Sequence, residues 1–186
     1  MRSRLITWLR RFRHRRGYGI HSPFAFTFVT DVVYNRGTYY AYASLRRHYA
    51  AHRREWHGLR LKDCLLLFRL ANYQHPSVVR LVGFEPSHPV REFLKAASVN
   101  CCVGSTASQP DLVLADEAWA SEAPALIGTL AEGAMLILTQ VGGANRAAWQ
   151  QLLAHPHAQI AFDLYDFGIV MNLPQLQRAH YVVNYF

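Results

Sequence analysis

Apolar positions recur at helical spacing through residues 1–74 and at strand spacing, broken by short helices, through residues 75–186. Leu5, Trp8, Leu9 and Phe12 stand at i, i+3, i+4 and i+7. They predict an amphipathic helix over 3–14, with Arg4, Arg10, Arg11 and Arg13 largely off the apolar stripe. Two glycines and Ser22-Pro23 then form a loop. Ser22 is a candidate N-cap and Pro23 suits a first helical turn, so a second helix is expected through residue 33. A third is expected over 39–56, with Tyr42, Leu45 and Tyr49 on one side, and a fourth over 62–73. After His75-Pro76 the period changes. Strands are expected at 78–83, 99–104, 111–116 and 134–140, alternating with helices at 88–97, 124–132 and 145–155. Residues 159–164 and 167–172 predict a hairpin, and 179–186 a closing strand. Such alternation indicates an α/β fold with a mostly parallel sheet of six or seven strands. The chain divides into a helical extension or cap, 1–74, and a Rossmann-like domain, 75–186.

The stretch Gly17-Tyr18-Gly19-Ile20-His21-Ser22-Pro23-Phe24, followed by Phe26 and Phe28, is too particular for generic amphipathic sequence. It resembles the N-terminal signature of a family of bacterial class I S-adenosylmethionine (SAM)-dependent methyltransferase-like proteins, familiar from Bacteroidetes. The similarity continues through Tyr39-Tyr40-Ala41-Tyr42, through Leu67-Phe68-Arg69-Leu70-Ala71-Asn72-Tyr73, and into Phe162-Asp163-Leu164 and Phe167-Gly168-Ile169-Val170. The resemblance implies a methyltransferase-type Rossmann sheet with a C-terminal antiparallel hairpin, and SAM as cofactor. It also implies that His21, Ser22, Tyr39 and Tyr40 belong to an N-terminal region packed over the ligand-binding end of the sheet.

Where the cofactor should lie, the sequence departs from that family. In a doubly wound sheet the ligand sits beyond the carboxyl ends of the strands. The family turn begins with an acid and continues through spaced glycines. Aligned without gaps, Arg80 replaces the acid, Val82 the first glycine and Pro86 the second, with Gly83 retained only by a one-residue slip. An arginine there opposes a sulfonium and an ammonium. The second strand ends Cys102-Val103-Gly104-Ser105-Thr106, with no carboxylate for ribose hydroxyls. Six residues separate Gly104 from Asp111, too few for a helix, strand and helix, so the sheet is expected to lack one strand. Asp116 keeps an acidic position, but the Gly, Asn and His that follow it in the family are absent. Thr139-Gln140 stands where the family carries paired aspartates. Gly83, Glu85 and Asp116 are the cofactor-binding candidates that remain, and no catalytic residue is assigned.

Charge sharpens the picture. Residues 1–62 hold fourteen of the twenty Lys and Arg against two acids, a net +12, whereas residues 63–186 hold six bases against ten acids, a net −4. Arg10, Arg11, Arg13, Arg15 and Arg16 are therefore candidates for an anionic partner, nucleic acid or an acidic membrane surface, unless the arm docks on the body. Three cysteines make no disulfide framework, and no apolar run reaches the roughly 18–20 residues of a membrane span. A cytoplasmic location is expected. His48 and His52 have metal-ligand spacing at i, i+4, but neighbouring arginines favour a solvated helix face, and no metal site is expected. Three functions follow. The leading one is a degenerate methyltransferase-like protein acting by binding or as a scaffold. The second is an active methyltransferase with a rearranged pocket around Gly83, Asp116 and the His21–Ser22 loop. The third is an anion-binding module.

Overall fold

Ser22 sets the start of the first helix, α1 (Pro23–Thr27). Its hydroxyl accepts the Ala25 N–H at 3.3 Å, and Pro23 takes the first helical position, where a missing N–H costs nothing. The computed structural model describes residues 18–56, 58–98, 100–104 and 109–185. The helix expected over 3–14 and the five arginines of the basic arm lie outside those residues.

The second expected helix forms, but not as one regular α-helix. α1 runs directly into a π-helical turn, Phe28–Val33, closed by the Tyr34 N–H donating to the Val29 carbonyl at 2.9 Å. Such widened turns are rare and need outside support. Arg69 supplies it: its guanidinium donates to the carbonyls of Val32 at 2.7 Å and Val33 at 3.0 Å. The next helix, α2 (Tyr42–Ala51), is shorter at both ends than the 39–56 expected. Tyr40 donates instead to the Ala96 carbonyl at 2.6 Å, and the Tyr39 ring packs on Tyr42 and Phe68. At the far end Trp56 turns back to stack on Tyr49, with ring centroids 4.7 Å apart. α3 (Leu61–Gln74) is apolar on most sides because it lies between the sheet and the N-terminal helices. Leu65, Leu66, Leu67, Phe68 and Leu70 are all buried.

The remaining chain builds one sheet: β1 (Val78–Val82), β2 (Cys102–Gly104), β3 (Leu112–Ala115), β4 (Met135–Thr139), β5 (Ile160–Asp163), β6 (Phe167–Met171) and β7 (Ala179–Val182). Its order is β2-β1-β3-β4-β6-β5-β7. β1, β2, β3 and β4 pair in parallel; β6 enters antiparallel between β4 and β5, and β7 lies parallel beside β5. This is the expected Rossmann-like α/β sheet with its C-terminal antiparallel hairpin. β2 is an edge strand, and among the described residues no strand lies outside it, as the short segment after Gly104 implied.

Alternation along the strands separates two cores. Val79, Leu81, Leu112, Leu114 and Ile137 face α1, α2, α3 and α4 (Val90–Ala97). Val82, Val113, Ala115 and Leu138 face α5 (Ala123–Gly128) and α6 (Arg146–Leu153), with Trp119 and Trp149 fully buried there. Full burial of each large side chain contributes about 1.5–3 kcal/mol. The helices of residues 18–74 thus share a core with the sheet and form one outer layer.

Candidate functional site

A concavity of about 600 Å³ opens at the carboxyl ends of the strands, where α/β sheets bind ligands. Its floor comes from Gly83, Phe84 and Glu85 after β1, Asp116 and Glu117 after β3, and Thr139 and Gln140 ending β4. Asp166 and Phe167 also reach it, because β6 runs antiparallel and so begins at this edge. The roof is Glu55, Trp56, Gly58, Leu59, Arg60 and Asp63, before and at the start of α3, with His88 before α4.

The roof is well anchored. Trp56 is buried, its indole N–H donating to the Tyr49 carbonyl at 3.0 Å, and the Tyr49 hydroxyl donates to the Leu59 carbonyl at 3.0 Å. Burial pushes the Tyr49 hydroxyl up from its ordinary range. Asp63, in the first turn of α3, accepts the Arg60 backbone N–H at 2.9 Å, which satisfies an otherwise orphaned donor. The Arg60 guanidinium forks onto the same carboxylate, Nε at 2.8 Å and Nη2 at 3.1 Å, and Nη2 also donates to Asp166. Burial opposes the Arg60 charge, but the bonds and charges of Asp63 and Asp166 outweigh it and raise its pKa. Arg60 therefore ties roof to floor.

On the floor Gly83 has φ +79°, a conformation that favours glycine, and a β-carbon there would collide with the Asp116 carboxylate. The turn is made at Gly83, while Val82 ends β1 buried in the second core. Asp116 accepts the Ala118 N–H at 2.9 Å, and Glu117 accepts from the Gln140 side chain.

Gly83, Glu85 and Asp116 therefore border one cavity. The other sequence-based candidates do not join them. Ser22 caps α1, His21 is exposed, and Tyr40 is bound to Ala96. Tyr39 borders a separate groove between α1 and the end of α3, so the His21–Ser22 loop contributes nothing to the cavity lining. Arg80 needs a further correction. It lies on β1 between Gly104 and Val113, on the sheet face that Val82 shares, and does not line the cavity. Its charge does not oppose a cationic ligand there. His48 binds the Pro89 carbonyl at 3.1 Å and His52 pairs with Glu55 at 2.9 Å, so the two histidines serve different partners.

Sequence reasoning missed Glu55, Arg60, Asp63, Glu117, Thr139 and Asp166. Only Arg60 and Asp63 carried a local signal, an acid three residues after a helix-start position.

Comparison with known proteins adds little. No family model matches the chain, and no curated protein matches it. Eight chains of solved structures do. One, described as cofactor-bound Rv0187 from MTB, is 17% identical with a TM-score of 0.45, and the match covers 80% of this chain and 94% of that one.

Proposed function

We propose that this chain is a methyltransferase-like protein without efficient methyl transfer, acting as a small-molecule binding protein. The observation that carries this reading is the reach of the cavity. β1, β3, β4 and β6 supply its floor, and among the described residues β2 supplies no lining residue. In Rossmann-type sheets an acid at the end of the second strand holds the ribose hydroxyls. Cys102, Val103 and Gly104 offer none. Among the described residues the cavity therefore offers no ribose-binding acid from β2 for the nucleoside of SAM, while about 600 Å³ lies open beside the ends of β1, β3, β4 and β6.

One observation favours active methyl transfer as a second reading. Gly83, Glu85 and Asp116 converge on acidic space that suits an ammonium and a sulfonium. Calorimetric titration with SAM and S-adenosylhomocysteine at moderate salt separates the two. The binding-protein reading expects no saturable heat up to millimolar ligand. Micromolar binding of either compound overturns it in favour of the methyltransferase.

A further inference from the structure

We propose that the cavity binds an aliphatic oligoamine, a di- or triamine with a positive charge towards each end. This inference rests on the binding-protein reading above and names its ligand class.

The charge of the lining comes first. Glu55, Asp63, Glu85, Asp116, Glu117 and Asp166 all border the cavity, against Arg60 as the one Lys or Arg among the described residues that line it. Arg60 compensates Asp63 and Asp166. Among the described residues, no Lys or Arg pairs with Glu85, Asp116 or Glu117, and Glu55 has only His52. An anionic ligand is repelled, and a neutral one would strip water from these carboxylates without replacing it.

The second observation is independent of charge. Thr139 is 4% exposed and lines the cavity, yet its hydroxyl makes no hydrogen bond within the described protein. Buried polar groups nearly always have a partner. A threonine hydroxyl bordering this space can accept from a ligand donor, and an ammonium brings three.

Shape then selects among cations. The uncompensated acids approach from separate elements: Glu55 from the roof, Glu85 after β1, Asp116 and Glu117 after β3. Among the described residues no three His, Cys, Asp or Glu converge as a metal site, so the negative charge is spread rather than focused. Separated ammonium groups match spread carboxylates better than one compact ion does. Trp56, Phe84 and Phe167 provide apolar wall for the methylenes between the charges.

The test is calorimetric titration of the full chain with spermidine at low salt, with 1,7-heptanediol as a neutral comparison. Saturable one-site binding of spermidine and none of the diol is expected. Asp116→Asn, which keeps the acceptor for the Ala118 N–H, and Glu85→Gln should each weaken binding roughly tenfold, the loss of one charge-assisted hydrogen bond. Thr139→Val should weaken it about threefold. Glu132→Gln, at an exposed acid outside the cavity, should leave it unchanged. Thermal melts of each variant establish that it is folded. No saturable heat overturns the inference, and so does equal weakening by Glu132→Gln, which would indicate diffuse surface attraction. A parallel SAM titration separates the two levels. SAM binding with spermidine silent overturns both readings, whereas silence of both ligands overturns only the oligoamine.

Discussion

Arg60 and Arg69 stand nine residues apart at the start and in the body of α3, and they hold their charges in opposite ways. Arg69 is 6% exposed and donates to five neutral oxygens: the carbonyls of Val32, Val33 and Leu65 and the hydroxyls of Tyr42 and Tyr185. Burial works against its charge, but Tyr185 and Tyr42 outweigh it and its pKa is raised. Every guanidinium N–H is used, so the clamp is complete and offers nothing to a ligand. Arg60 is held by two carboxylates at the wall of an open cavity, with its side chain 40% exposed. The first arrangement closes the helical layer on itself. The second leaves an acid-rich surface where an outside cation competes on equal chemical terms.

Breaking the clamp gives the largest effect. Arg69→Met preserves length and apolar volume but leaves the carbonyls ending the π-helical turn without donors inside the core. Breaking a buried charged network of this kind costs about 3–5 kcal/mol. Urea denaturation should show the midpoint falling accordingly with the slope unchanged. A loss below about 1 kcal/mol would mean that apolar packing, not Arg69, holds the turn.

Arg60→Met sharpens the contrast from the other side. Its half-exposed pairs are screened, so the expected cost is only about 1 kcal/mol, most of it from leaving buried Asp63 with fewer donors. Urea denaturation midpoints measure that loss. A cost as large as that of Arg69→Met would show the roof-to-floor tie to be structural, and the cavity to be a by-product of it.

These two arginines also show what the sequence makes legible. The residues around Ser22, Phe28 and Arg69 build the clamp: Phe28 opens the turn that Arg69 holds, and Ser22 starts the helix leading to it. A contiguous signature reports such local and buried packing well. Strand and helix alternation was readable for the same reason, since period and burial are local consequences of the sheet. The α2 ends were misjudged because Tyr40 and Trp56 are bound by Ala96 and Tyr49 rather than by helical pattern. The cavity was half legible. Gly83 and Asp116 end adjacent parallel strands, which topology places together. The Arg60–Asp166 pair spans 106 residues of sequence and arises only because β6 runs antiparallel into the same edge.

The smallest effect lies at the opposite end of the clamped segment. Ser22→Ala removes the cap of α1, a bond of 3.3 Å, at a cost of about 0.5–1 kcal/mol, and Ser22→Asp should restore most of it. Its value lies in combination with Arg69→Met. If α1 and the π-helical turn are one unit held at both ends, releasing the far end frees the segment, and the cap then contributes nothing further. The double variant should accordingly be no less stable than Arg69→Met alone, with a coupling close to the whole Ser22→Ala cost. Simple addition of the two losses would show that Ser22 and Arg69 stabilise independent pieces. The signature and the clamp would then be neighbours without being a single device.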